Sequence, residues 1–253
     1  MRMERQFIDQ AARLLAEASR TGRRIDRLPE HTRPRTIAEA HAIQDALVIA
    51  LGERVAGWKV SAGKDNEIMR GAILGSRLLQ SPASLPAARV PLRGIEVEIG
   101  FRFDQDMPPR DRDYHRTEIE AAVTAVVGME IVDSRFTSYR ETPVLDRAAD
   151  CMSNGAYIVG TLRPDWRDFD LSSLKAILRI NGKVEIEKTG GHSIGDPVLP
   201  AIALVNQLRT GPGITARQII TTGTYTGLHF SQPGDDLVAE FEGFGRAELH
   251  LSA

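Results

Sequence analysis

The sequence predicts an α+β chain, with an N-terminal helical part ahead of a β-rich body, and three observations carry that expectation. Apolar residues recur at helical spacing as far as Gly52. After Val55 the chain turns to short runs punctuated by Gly, Pro and Ser. Within that second region Gly94 to Phe103 alternates with a period of two, and Asn181-Gly182 separates two apolar runs as a favoured two-residue hairpin turn.

Phe7, Ile8, Ala11, Leu14, Leu15 and Ala18 define a helix over residues 5–20, which Thr21-Gly22 ends. Pro29 and Pro34 fill the connector. Thr36 with Glu39 three residues on has capping-box spacing and opens a second helix, apolar at Ala40, Ile43, Leu47 and Ala50, that stops at Gly52. This divides the chain into a helical part, 1–52, and a body, 53–253. In the body, Ile177–Ile180 and Lys183–Glu187 form the hairpin about Asn181-Gly182. Further strands are expected at Ile219–Thr226, Leu237–Phe241 and Arg246–Leu251. Two helices interrupt them, Glu118–Val127 and Pro197–Leu208, the latter apolar at Val198, Ile202, Val205 and Leu208.

Composition removes several classes of function. The 253 residues carry 32 basic and 34 acidic side chains, a net charge of -2, which argues against a nucleic-acid binder living on phosphate neutralisation. Aromatic content of 6% is low for a protein that grips bases by stacking. No apolar run approaches the ~18 residues of a membrane span. The charged, amphipathic start is not a secretory signal, and a single cysteine, Cys151, allows no internal disulfide. A cytoplasmic setting is expected.

The strongest chemical signal is Ile95-Glu96-Val97-Glu98-Ile99. Strand side chains alternate, so Glu96 and Glu98 share the face opposite the three apolar residues. By itself this pattern also describes the wet face of a half-exposed strand. Glu130, however, stands in the middle of the apolar run Gly128-Met129-Glu130-Ile131-Val132, where a carboxylate is costly to bury unless paired or coordinated. Three carboxylates converging on one point favour a hard divalent ion, Mg²⁺ or Mn²⁺. No His or Cys pair has zinc-ligand spacing.

Only five of the basic residues are lysines, and Lys59 lies between Trp58 and Val60 in a strand-like run. Its ammonium either extends to solvent or points into a site, where it would bind a substrate carboxylate and polarise a carbonyl. Asp150 to Gly155 is a small, polar segment, and Thr221 to Gly227 packs four threonines and two glycines together, the makings of an anion pocket or of a plain hairpin. Cys151 reads as a small buried residue, and His192 and His229 as surface positions. A Walker loop and a Gly-x-Gly-x-x-Gly motif are both absent from the sequence.

Taken together, these segments resemble the 2-keto-4-pentenoate hydratase and 4-oxalocrotonate decarboxylase group of the fumarylacetoacetate hydrolase superfamily, almost end to end. The landmarks are Ala42-Ile43-Gln44, Gly57-Trp58-Lys59, Ile95 to Ile99, Glu130 to Arg135, Asp150 to Asn154, Gly195-Asp196-Pro197, Asn206, Thr222-Gly223-Thr224 and Pro233-Gly234-Asp235. The resemblance implies a fumarylacetoacetase-like mixed β fold, a β-sandwich roll, over 53–253. It further implies that Glu96, Glu98 and Glu130 hold Mg²⁺ or Mn²⁺, that Lys59 faces a small 2-oxo acid, and that the chain forms a homo-oligomer.

One stretch departs from the group. Its hydratases carry an acidic residue beside a glycine shortly after Gly-x-Lys, for proton transfer, whereas here Arg70 precedes Gly71. Glu67 is the candidate replacement, and Arg70 a candidate partner for a second carboxylate on the substrate. Asp150 and His229 are further candidate proton donors, and Ser153, Asn154 and Thr224 candidates for holding the substrate's polar groups. The expected activity is metal-dependent addition of water to a 2-hydroxy-2,4-dienoate or 2-oxo acid, as in degradation of aromatic compounds. A decarboxylase and an acylpyruvate-type carbon-carbon hydrolase would share the same enolate. The hydrolase needs a histidine–glutamate pair, for which His31 has only Glu30 beside it. A non-catalytic ligand-binding relative would keep the metal without the proton relay.

Overall fold

Helix α1 (Arg5–Thr21) ends on Gly22, whose φ of 71° is the left-handed conformation that a side chain disfavours, and α2 (Ile37–Leu51) ends likewise on Gly52 at 70°. The Thr36 side chain caps α2 by accepting from the Glu39 N–H. The Glu39 carboxylate reaches instead to the N–H groups of Met3 and Arg35. The computed structural model describes residues 3–62 and 68–253. Ile8, Leu15, Ile43 and Leu47 of the two helices are buried in the same hydrophobic cluster as Ile95, Val97 and Ile99 of the body.

The body continues with β1 (Val55–Ala62), β2 (Ile68–Leu74), β3 (Leu78–Gln80), β4 (Ala83–Pro86) and β5 (Gly94–Phe103). There follow α3 (Arg116–Ala121), β6 (Val123–Val132), α4 (Val144–Ala149), β7 (Asn154–Arg163), β8 (Lys175–Ile180) and β9 (Lys183–Thr189). The chain closes with α5 (Val198–Leu208), β10 (Ile219–Thr224), β11 (His229–Phe230), β12 (Asp236–Phe241) and β13 (Gly245–Ser252). The β8–β9 hairpin turns on Asn181 and Gly182, both at positive φ, as the Asn-Gly pair predicts.

The helix expected over Glu118–Val127 is corrected by the structure. Only one short turn forms, α3, and from Val123 the chain runs as β6, buried at all ten positions. A strand covered on both faces is a continuous apolar run, which a periodicity argument cannot tell from a buried helix. Here the β-branched residues Val123, Thr124, Val126, Val127, Ile131 and Val132 favour the strand.

Two curled sheets result. The larger has the order β2-β1-β10-β5-β6-β7-β3, with β11 added to β5; the smaller has the order β4-β13-β12-β8-β9. They meet where β13 crosses β7, at Gly160, where a Cβ would lie 2.3 to 2.8 Å from Arg246 and Ala247 and force the sheets apart. Aromatic edges fill the space between the layers, Phe101 against Trp166 and Tyr225 against Phe241. Residues Ile95, Val97, Ile99, Phe101 and Phe103 of β5 enter this main core. The opposite face of the large sheet has its own small buried cluster, Ile73, Val126, Tyr157, Val159 and Ile219. That cluster closes off one end of the face that also carries Glu96 and Glu98.

Candidate active site

Strand register brings the three glutamates together. Glu96 stands directly opposite Glu130 in the antiparallel β5–β6 pair, and Glu98 is two residues along on the same face. One oxygen from each lies within 4.8 Å of the others. Glu130 and Glu98 are buried and Glu96 is partly open. Two strands away from β5, Lys59 on β1 donates from Nζ to Glu130 Oε1 at 2.6 Å and to the Met152 carbonyl at 3.1 Å. Asn154 Nδ2 donates to the same Glu130 oxygen at 3.2 Å, and the Thr221 hydroxyl donates to Glu98.

This electrostatic arrangement is under tension. Burial, reinforced by the charge of Glu130, pushes the Glu96 carboxyl up to about 7, although Lys59 opposes the shift. Burial first, then Glu130 and Glu96, raises Glu98 well above the ordinary carboxylate range. For Lys59 burial alone would lower the ammonium's pKa, but the three carboxylates, Glu130 foremost, more than reverse this and raise it. When all three are ionised, the carboxylates exceed the one ammonium by two negative charges. Glu130 Oε2, moreover, is buried with no hydrogen-bond partner among the described residues. A hard divalent cation fits an all-oxygen donor set with that residual charge.

Glu96, Glu98 and Lys59 form one wall of a cavity of about 600 Å³; Glu130 is buried beside them and does not line it. The facing wall comes from α4, the loop before it and the segment after it. That last segment is strained. Cys151, Met152 and Ser153 have φ of 51°, 51° and 58°, three consecutive non-glycine residues in the left-handed region. The left-handed turn sets the Met152 carbonyl on Lys59 and brings Ser153 to the cavity, with its buried hydroxyl unpartnered among the described residues. On the far side, β10 bulges between Thr221 and Thr224, with Gly223 at a φ of 115°. Thr224 lines the cavity, but its hydroxyl accepts the N–H groups of Thr226 and Gly227 and so also ties the turn. Asn154 is fully buried and reaches the site through Glu130.

Arg70 is not part of this constellation. In the β1–β2 ladder Gly71 is opposite Lys59 and Arg70 opposite Val60, so alternation turns Arg70 to the other face. There its guanidinium forms two 2.9 Å hydrogen bonds to Asp45 and stacks 4.9 Å from the Trp58 ring centre. Glu67 lies outside the described residues. Asp150 is buried in a hydrogen-bonded ion pair with Arg135, and His229 is outside the cavity lining. His31 hydrogen-bonds Gln10 on an exposed turn rather than entering the cavity. His192, expected at the surface, is instead buried, its Nε2 2.8 Å from the Thr222 carbonyl, because the Thr221 to Gly227 turn folds over it. Tyr139 and Arg147 line the cavity and had no signal in the sequence, where they fall in a polar stretch without periodicity.

Comparison with known proteins is consistent with this geometry. No family model matches the chain. It is 26% identical over 258 residues to a 2-keto-4-pentenoate hydratase of Paraburkholderia xenovorans, covering 97% of this chain and 95% of that protein. The structure superposes on 4-oxalocrotonate decarboxylase from Pseudomonas putida G7, complexed with magnesium and adipate, with a TM-score of 0.86, 20% identity and coverage of 99% and 100%. It also resembles a fumarylacetoacetate hydrolase from Exiguobacterium antarcticum at a TM-score of 0.59 and 14% identity, covering 78% of this chain and 74% of that one. Among the described residues no helix is long and apolar enough to cross a membrane.

Proposed function

Starting from a chain homologous along nearly its whole length to the 2-keto-4-pentenoate hydratases, we propose a hydratase, dependent on Mg²⁺ or Mn²⁺, that adds water to a small 2-hydroxy-2,4-dienoate of the kind formed in aromatic catabolism. The observation that carries this reading is the convergence of Glu96, Glu98, Glu130 and Lys59, with Glu96, Glu98 and Lys59 opening onto a cavity of ligand size. Glu96, Glu98 and Glu130 would hold the cation, which when bound supplies Lewis acidity toward the oxygens of a 2-oxo acid.

The protein's own groups do the rest. Lys59 uses two of its three N–H donors on Glu130 and Met152, leaving one for a substrate oxygen that gains negative charge as the dienol loses its 2-hydroxyl proton. Ser153 offers a hydroxyl whose hydrogen-bonding capacity is not consumed by the described residues. The terminal carbon then takes a proton, water adds its hydroxyl at C4 and its proton at C3, and a 4-hydroxy-2-oxo acid leaves. The buried cluster of Tyr157, Val126 and Val159 closes the inner end of the site and limits bulk water there.

The test is to mix the protein with 2-hydroxy-2,4-dienoates and Mg²⁺ or Mn²⁺. Loss of the dienol absorbance with gain of one water by mass supports hydration. Loss of carbon dioxide, or cleavage into two acids, would reassign the site to the decarboxylase or hydrolase reaction, and no turnover with either metal overturns the enzyme. Glu130→Gln is expected to reduce the rate by roughly 10²–10³-fold. The same reading places the protein in the cytoplasm as a homo-oligomer, which sedimentation at a species larger than the 27.8 kDa chain would support.

A further inference from the structure

The charged groups of the cavity fall into two separate sets. Lys59, Glu96 and Glu98 belong to the floor formed by β1 and β5, while Arg147 comes from α4 on the opposite wall. The rest of the lining combines apolar side chains, Met69, Met152, Ala148 and Pro200 among them, with serine and threonine hydroxyls. Arg147 also differs from other half-buried arginines of this chain. Arg24, Arg70 and Arg110 each hold a carboxylate, those of Asp133, Asp45 and Glu118. The Arg147 guanidinium has no ion pair or side-chain hydrogen bond among the described residues and rests 5.1 Å from the centre of the Tyr139 ring. A positive fork held against an aromatic face at the edge of a cavity is arranged for a planar anion.

We infer that Arg147, held in place by Tyr139, binds the far carboxylate of the substrate, and that the preferred substrate is therefore dicarboxylic. This rests on the functional reading above: the 2-oxo acid end occupies the glutamate and Lys59 pole, an unsaturated hydrocarbon segment packs on the apolar part of the lining, and a second carboxylate meets the guanidinium in a charge-assisted pair. A monocarboxylate would leave the guanidinium facing an alkyl end, with hydration lost and nothing gained. Arg147 acts on specificity rather than on the bonds that change.

The experiment compares 2-hydroxy-2,4-dienoates of equal chain length with and without a terminal carboxylate, in the presence of Mg²⁺. The wild type is expected to favour the dicarboxylate, and Arg147→Met to cut the ratio of the two kcat/KM values by roughly 10–100-fold, mainly through the dicarboxylate KM. Arg147→Lys, which keeps the charge but not the fork, retains part of the preference and guards against a folding defect in the first variant. Calorimetric binding of a saturated dicarboxylate and its monocarboxylate counterpart, with Mg²⁺ present, should show the same preference and the same loss. If neither dienoate reacts, the hydratase reading falls, and the saturated pair still decides the role of Arg147. A dicarboxylate preference that Arg147→Met leaves unmoved, or a wild type that prefers the monocarboxylate, overturns the inference.

Discussion

Gly71 and Lys59 stand opposite each other in the β1–β2 ladder, and a Cβ on Gly71 would lie 2.7 Å from Lys59 Cγ and 2.6 Å from the Cys151 carbonyl oxygen. The bare glycine is what lets the lysine stem pass between β2 and the left-handed turn. Gly71→Ala is expected to destabilise the fold by about 1–3 kcal/mol, the usual range for overpacking, and to displace the ammonium from Glu130. Urea unfolding and steady-state kinetics would both move. A variant with wild-type stability and rate would show that the stem has room to spare.

Lys59 neutralises part of a buried acidic cluster, so its removal exposes the charge imbalance. Lys59→Met should lower the stability of the metal-free protein by up to about 3–5 kcal/mol, reduced to the extent that the carboxylates take up protons. Added Mg²⁺ or Mn²⁺ should then raise the variant's Tm by more than it raises that of the wild type, since the cation replaces a missing charge as well as filling its own place. Equal metal-induced shifts in the two proteins would refute the compensation.

Ser153 separates a substrate contact from a structural one. Its buried hydroxyl has no partner among the described residues, so Ser153→Ala should leave unfolding midpoints unchanged or slightly raised while increasing KM about tenfold. A clear fall in stability without any change in KM would mean that the hydroxyl serves the turn instead.

His41 should make the fold sensitive to acid. Its ring is buried, and Nε2 accepts the Arg70 N–H at 3.1 Å. Burial and then the nearby Arg70 charge lower its pKa from 6.5 to about 4, with Asp45 opposing. The native state therefore prefers the neutral ring and binds fewer protons than the unfolded chain between those values. Stability from this group is complete above pH 6.5 and is lost as pH falls toward 4, on the order of 3 kcal/mol. The stability difference between wild type and His41→Gln, measured by denaturant unfolding, should shrink over that window. A constant difference would rule out the buried neutral histidine as the cause.

Much of the site was legible because it rests on local alternation. Glu96 and Glu98 share a face wherever that segment forms a strand, and Glu130 in an apolar run had to find compensation. Arg70 shows the limit: neighbours in a strand face opposite ways, but sequence alone does not say which face the cavity will occupy, and it is Gly71 that points inward. The strand at Val123 to Val132 was hidden for the opposite reason, since burial on both faces erased the alternation that would have revealed it.

By itself, then, the sequence determined the helix ends at Gly22 and Gly52, the Asn181-Gly182 hairpin and the partition of β5 into an apolar and an acidic face. Each is settled by φ preferences or side-chain period within a few consecutive residues. Tertiary structure alone decided that Glu130 lies opposite Glu96, that Lys59 reaches Glu130, that residues 151–153 adopt a left-handed turn, and that Arg147 lines the same cavity as Lys59. Those outcomes depend on which strands become neighbours and which faces are covered. Burial is shared among segments far apart in the chain, and no local pattern encodes it.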